Sequence, residues 1–222
     1  MRGVYCWPMT PITTIFFDLD GTFYEDQSGV WDLMATRIEQ FMREEVGIPL
    51  RQIPSLRQQY FETYGTSLRG LHIDYNVDPE AYLHYVHDVP IEAHLLPNRS
   101  LDGLLTRLPQ RKWIFTNASE EHARRVIAAL DLGLHFVGFW DIQRMGYRSK
   151  PDPAVYVELL EAAGESRATQ TLFVDDRPEN LGPARELGAT TVLVGTREPH
   201  PAAHHSILRL EHLLDALPGL VE

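Results

Sequence analysis

Two aspartates, Asp18 and Asp20, follow an apolar run in IFFDLDGTFY, residues 15–24. Asp, Gly and Thr are ordinary turn formers, so a polar strand end would account for them singly. Three other places along the chain hold groups of the same kind: Thr116-Asn117, Lys150-Pro151 and Asp175-Asp176. Together these supply four carboxylates, one lysine and two small hydrogen-bonding side chains. Clustered carboxylates raise one another's pKa and need a cation to stay ionised together. An all-oxygen set with room for water and a substrate phosphate suits Mg²⁺ better than a softer metal, with Asp18, Asp20, Asp175 and Asp176 as its expected ligands. Lys150 adds a compact positive charge for a transferring phosphoryl group, and Thr116 and Asn117 are expected to hold its oxygens. In that chemistry Asp18 is the nucleophile and forms an aspartyl-phosphate. Asp20 protonates the leaving oxygen, then deprotonates the water that hydrolyses the intermediate.

These side chains can meet only if the fold brings several strand ends to one edge. Apolar runs rich in β-branched and aromatic residues occur at 12–17, 112–116, 136–140, 171–174 and 191–194, and each reads as a buried strand. Helical patterns separate most of them. Ser119 precedes a helical segment through Leu130, Asp152-Pro153 reads as a cap and first helical residue, and Pro183–Leu187 ends at Gly188. Such alternation predicts an α/β fold, a parallel sheet with helices on both faces. Ligands in sheets of this kind bind at the carboxyl ends of the strands, where the candidate residues stand.

The stretch between the first and second strands is too long for an ordinary connection. Within it Trp31–Val46 carries an apolar stripe of Met34, Ile38, Phe41 and Met42 and stops at Gly47, while Ser55–Tyr64 and Pro79–Asp88 also read as helices. An all-helical domain over residues 27–98 is therefore expected, inserted into a core made of 12–26 and 99–222. The segment YGTSLRGL, 64–71, is expected as a polar turn between helices, and the tyrosines near His84 and His87 as helix packing. After Val194 the sequence predicts a solvated loop bearing His200, His204 and His205, then a terminal helix from Ser206 to Ala216.

A formal net charge of −11 argues against binding a nucleic-acid polymer or a membrane surface, since both favour basic patches. An anionic small molecule is still admissible if positive charge or metal is concentrated in one pocket. The chain has 18 arginines but only two lysines, Lys112 and Lys150, which singles out Lys150. Cys6 is the only cysteine, so neither an intrachain disulfide nor a cysteine-rich zinc site can form. The N-terminal MRGVYCWPMTP lacks the apolar region of a signal peptide, and no apolar run is long enough to span a membrane, so a cytoplasmic protein is expected. Neither a P-loop nor a GxGxxG motif is present. Oligomeric state is left open.

DLDGT at Asp18–Thr22, the strand ending in Thr116-Asn117, Lys150-Pro151-Asp152-Pro153 and FVDD at 173–176 resemble the four motifs of the haloacid dehalogenase-like hydrolase superfamily. They occur in that family's order over roughly residues 12 to 195. The resemblance implies a Rossmann-like core with a helical cap inserted after the first motif. It also separates chemistries, because dehalogenases of this kind lack an acid at the position of Asp20, a halide needing no proton to leave. Phosphonatases use a cap lysine, and residues 25–100 contain none. Phosphomutases rely on basic cap residues and rank below, although Arg69 and His72 keep them in view. A phosphatase is the reading that survives.

Tyr64–Leu71 and the DLDGTFY form of the first motif further resemble pyrimidine 5′-nucleotidases, which implies nucleoside 5′-monophosphates such as UMP or CMP as substrates. By that likeness Arg69 contacts phosphate, ribose or base, and Phe23 and Tyr24 line the pocket by stacking. A phosphatase for pyridoxal phosphate or sugar phosphates is the alternative. A non-catalytic phospholigand-binding protein stands behind it, with the intact motif set counting against it.

Overall fold

A computed structural model describes residues 11–25 and 28–221. Cys6, and the expected domain boundary at residues 26–27, lie outside the described residues. Six parallel strands form one sheet: β1 (Thr14–Phe17), β2 (Arg111–Phe115), β3 (Gly138–Trp140), β4 (Thr171–Asp175), β5 (Thr190–Val194) and β6 (His205–Ile207). Their order is β3-β2-β1-β4-β5-β6. The two central strands read TIFF and TLFVD and are buried along their whole length, as expected where helices cover both faces. Across the sheet Phe16 packs on Phe173 with ring centroids 4.8 Å apart.

Strand order reverses at β1, which pairs with β2 on one side and β4 on the other. The switch point of the sheet therefore lies at the carboxyl end of β1. Phe17 stands opposite both Ile114 and Val174, so Asp18 is the first residue past that register. Its backbone N–H still donates to Val174 O at 2.8 Å, which pins the nucleophile candidate to the sheet edge. The expected Rossmann-like α/β core is what the chain forms.

Four helices fill the stretch between β1 and the rest of the core: α1 (Val30–Glu44), α2 (Ile53–Tyr64), α3 (Ser67–Tyr75) and α4 (Pro79–His87). Phe41 of α1 sets its edge against Tyr82 and Tyr85 of α4, with centroids 5.1 and 5.3 Å apart. The helices α5 (Arg99–Arg107), α6 (Glu120–Ala129), α7 (Pro153–Ala162) and α8 (Pro178–Glu186) then alternate with the strands, and α9 (Leu213–Ala216) follows β6. Asn98, Ser119 and Asp152 cap α5, α6 and α7 by accepting from backbone N–H groups of the first turn.

Two local expectations are corrected. The 64–71 segment is not a polar turn: Gly65, at φ +81°, ends α2, and Thr66 caps α3 by accepting from Arg69 N. Gly70 lies buried inside α3 against the Tyr60 ring, where a Cβ would collide. At the other end, residues 205–207 pair with 192–194 as β6, so the predicted helix from Ser206 is confined to Leu213–Ala216 after a single 3-10 turn. An apolar edge on β5 offers backbone partners that outweigh the weak helical pattern there. Among the described residues, no helix is long and apolar enough to cross a membrane.

Candidate active site

Lys150 is 1% exposed, and its ammonium donates three hydrogen bonds, to Asp18 Oδ1 (2.6 Å), Asp175 Oδ2 (2.8 Å) and Phe115 O (2.9 Å). A charge this deeply buried persists only when fully paired, and all three of its donors are used. Asn117 fixes the lysine's backbone from both sides: its Oδ1 accepts from Lys150 N at 2.8 Å, and its Nδ2 donates to Lys150 O at 3.2 Å. Thr116, also buried, accepts from Ala118 N at 3.0 Å and so shapes the turn after β2. Thr116 and Asn117 also line the main cavity.

Asp18, Asp175 and Asp176 bring carboxylate oxygens within 4.8 Å of one another. One lysine cannot neutralise three carboxylates. Burial pushes the Asp18 carboxyl well above its usual range, and Asp175 and Asp176 push it further, against the pull of Lys150. Burial, then the Asp175 charge, lifts Asp176 to about 7. Asp175 is the satisfied member: beyond Lys150 it accepts from Arg177 N (2.9 Å) and from Asn180 Nδ2 (3.0 and 3.1 Å). Asp18 and Asp176 line the main cavity, while Asp175 does not. A hard divalent cation with oxygen ligands would relieve this excess negative charge, so the residues fit Mg²⁺. Gly21 makes the approach possible, since a Cβ there would collide with Asp176 Oδ2.

Asp20, expected as a fourth ligand, stands outside that cluster. Its Oδ1 accepts from the Tyr24 hydroxyl and lies 2.9 Å from His122 Nε2. Burial alone would raise its pKa, but the charge and hydrogen bond of His122, with the Tyr24 hydrogen bond, hold it below the ordinary carboxylate value. Thr22 donates to Asp18 Oδ2 at 3.3 Å and is buried in the turn.

A cavity of about 480 Å³ opens between the strand ends and the helices α1–α4. Asp18, Asp20, Lys150 and Asp176 form its polar end, and Trp31, Met34, Ile38, Phe61 and Tyr82 its apolar wall. None of the three residues expected to contact a substrate's leaving group lines it. Phe23 is buried against Phe17 and Phe136, with centroids 5.5 and 5.7 Å away, because the turn after Asp20 folds back into the core. Tyr24 is buried with its hydroxyl on Asp20. Arg69 donates to Tyr147 O at 3.3 Å, spanning from α3 to the loop before Lys150.

Sequence reasoning missed His122, Asn180 and Arg177. His122 sits in the first turn of α6, three residues past its cap, where a helix following a strand end faces the same edge as Asn117. Arg177 reaches from the fourth motif to lie 3.7 Å over the Phe61 ring of α2, and both residues line the cavity. No spacing rule couples residues so far apart in the chain.

With this geometry in hand, comparisons with known proteins agree on the class. The family model described as haloacid dehalogenase-like hydrolase matches residues 12–188, and the chain belongs to that family of hydrolases. It is 27% identical over 192 residues to phosphate metabolism protein 8 of Saccharomyces cerevisiae, covering 80% of this chain. The chain spans 60% of that relative's length. Among solved structures, the HAD-hydrolase YfnB of Bacillus subtilis, determined bound to magnesium, superposes with a TM-score of 0.64 at 16% identity, covering 93% of this chain and 98% of that one. The L-2-haloacid dehalogenase of Xanthobacter autotrophicus gives 0.61 at 16% identity, covering 94% and 99%. At those identities the likeness is one of fold.

Proposed function

We propose that this hydrolase is a Mg²⁺-dependent phosphatase that cleaves small phosphate monoesters, nucleoside 5′-monophosphates among them, through an aspartyl-phosphate on Asp18. The observation that carries the reading is the grouping of Asp18, Lys150, Asp175 and Asp176 beside an Asp20 that is bonded separately. Asp18 and Asp176, which face the cavity, would hold the cation with Asp175 behind them. Bound Mg²⁺ would supply electrostatic stabilisation of the phosphoryl charge.

The chain's own residues do the rest. A carboxylate oxygen of Asp18 forms a bond to phosphorus while the bond from phosphorus to the leaving oxygen breaks, and Asp20 gives that oxygen a proton. Asp20 then takes a proton from water, whose oxygen attacks the phosphorus and frees Asp18. Lys150 offsets the phosphoryl charge as it moves, and Asn117 keeps the lysine's backbone in register.

Residues 27–98 act as the cap, closing the cavity and choosing the leaving group. Its aromatic and aliphatic wall favours a leaving group with a flat apolar face, such as a pyrimidine nucleoside, with Arg57 and Gln58 as polar partners. The name of the yeast relative supports a role in phosphate metabolism. The dehalogenase fold-neighbour raises the rival chemistry, but a halide needs no proton on leaving, and Asp20 with its two hydrogen-bonding neighbours favours an ester.

The test is a kcat/KM panel over UMP, CMP, pyridoxal phosphate, sugar phosphates and a 2-haloacid, with Mg²⁺ present. Preference for the nucleotides is the expected result. Preference for pyridoxal or sugar phosphates would keep the chemistry and overturn the nucleotide assignment, and turnover of the haloacid alone would overturn both.

A further inference from the structure

The two oxygens of Asp20 have unlike surroundings. Oδ1 receives both the Tyr24 hydroxyl and His122 Nε2, the latter at 2.9 Å, while no hydrogen bond among the described residues reaches Oδ2. Asp20 lines the main cavity. A carboxylate on a rotatable side chain can present either oxygen, and which one it presents matters for a proton moving over hydrogen-bond distance.

His122 is itself held firmly. It is fully buried in the first turn of α6, and its backbone N–H is capped by Ser119 Oγ at 3.3 Å. Its ring stacks on His87 of α4, with centroids 4.4 Å apart and 24° between planes. His87 Nδ1 lies 2.9 Å from the same Ser119 hydroxyl. Arg125 of α6 locks the end of α4 in place by donating to His87 O (2.9 Å) and Val89 O (2.8 Å) and to the Glu92 carboxylate (3.1 Å). Among the described residues His122 Nδ1 has no hydrogen-bond partner, although the ring is buried. Leaving a buried nitrogen unsatisfied is unfavourable, and an apolar side chain would pack there without that penalty. Among the described residues, the ring's one hydrogen bond is to Asp20.

The geometry points to His122 as a positioning residue for acid–base transfer: with Tyr24 it occupies Oδ1 of Asp20 and presents Oδ2 to the oxygen that bridges substrate and phosphorus. This rests on the phosphatase reading above. In the first half-reaction Oδ2 carries a proton brought in with the substrate phosphate, and the Oδ2–H bond breaks as the bridging oxygen gains that proton and parts from phosphorus. In the second, Oδ2 accepts a proton from the attacking water, which restores the acid. His87 reaches the pair from α4, so seating that helix on the core also sets the orientation of Asp20.

Leaving-group dependence tests this directly, because kcat/KM reports only steps through departure of the first product. A nucleoside or glycerol oxygen needs a proton to leave, whereas p-nitrophenolate does not. With Mg²⁺ present, His122→Leu should lower kcat/KM for UMP or β-glycerophosphate by about 100-fold, the scale of general acid catalysis. The loss on p-nitrophenyl phosphate should be less than about tenfold, since little of that contribution is needed there. His122→Gln, which can still donate to Asp20, should recover most of the loss. Equal losses on both ester types would overturn the proposal, because a merely structural defect does not discriminate between leaving groups. Should His122→Leu not fold, Tyr24→Phe removes the other donor to Oδ1, and an unbiased loss in both Tyr24→Phe and His122→Gln overturns it equally. A wild-type enzyme that turned over none of these esters would instead sink the phosphatase reading on which it stands.

Discussion

Asp176 and Asp18 carry the strain of the site at the scale of single residues. Three carboxylates share the charge of one lysine, and Asp176 titrates near 7 because burial and Asp175 oppose its ionisation. The sign follows from linkage. With a folded pKa raised above its ordinary 3.8, Asp176 contributes stability that is fully present below about 4 and is lost as pH rises through 7. A cation held there, as proposed, would reverse that loss and compete with the proton for the same oxygen. Mg²⁺ should therefore raise Tm more at pH 8 than at pH 5, and a thermal melt with and without the ion at both pH values checks it. That Asp18, Lys150, Asp175 and Asp176 come together was legible in the sequence, because each motif places a chemically distinctive side chain at or beside a strand end. Where the side chains of Phe23 and Tyr24 lie was not legible, because periodicity does not say which way a turn folds. Phe23 returns to the core between Phe17 and Phe136.

At the scale of elements, the junction of α2 and α3 bears on Lys150. Gly65 has φ +81°, and a Cβ there would collide with Lys150 O and come within 3.1 Å of Ser149 Oγ, which itself donates to Tyr64 O at 2.6 Å. Gly47 has nearly the same backbone, φ +80°, with nothing within 4 Å. Both alanine substitutions should cost roughly 1–2 kcal/mol for the left-handed conformation. Only Gly65→Ala should also lower kcat, by displacing the Lys150 backbone, and equal activity in the two variants would contradict that link. The second element-scale coupling runs through α4. Burial, the charge of His122 and that of Arg125 depress His87 to about 3, with Asp20 pulling the other way. The unfolded chain takes up this proton near 6.5 and the folded one does not, so stability is present above 6.5 and falls as pH drops toward 3. His87→Leu should flatten that part of the denaturation profile. The existence of α1, α2 and α4 could be read from apolar periodicity, whereas α3 could not. Gly65 and Gly70 look like turn residues, yet the first caps α2 and the second, inside α3, lets that helix approach the Tyr60 ring.

Across the whole molecule, the core grips the helical block through several separate contacts. Arg125 grips the end of α4, Ser149 holds the end of α2, and the Arg177 guanidinium lies over Phe61. These contacts join residues far apart in sequence, which is why the α/β class and the inserted helices were predictable while the cavity wall was not. In a chain of net charge −11 the cavity sets Lys150, Arg57 and Arg177 against Asp18, Asp20, Glu39 and Asp176, so admitting an anionic ester calls for the further positive charge that a bound divalent cation would supply. Phosphate release from UMP, measured in Mg²⁺ and in EDTA for the wild type and for Asp18→Asn, tests the aspartyl-phosphate on Asp18. Release by the wild type in Mg²⁺ is expected, with a fall of about 10³-fold or more in Asp18→Asn, as losses of a nucleophile run, and a comparable fall in EDTA. Undiminished release by Asp18→Asn would contradict the account.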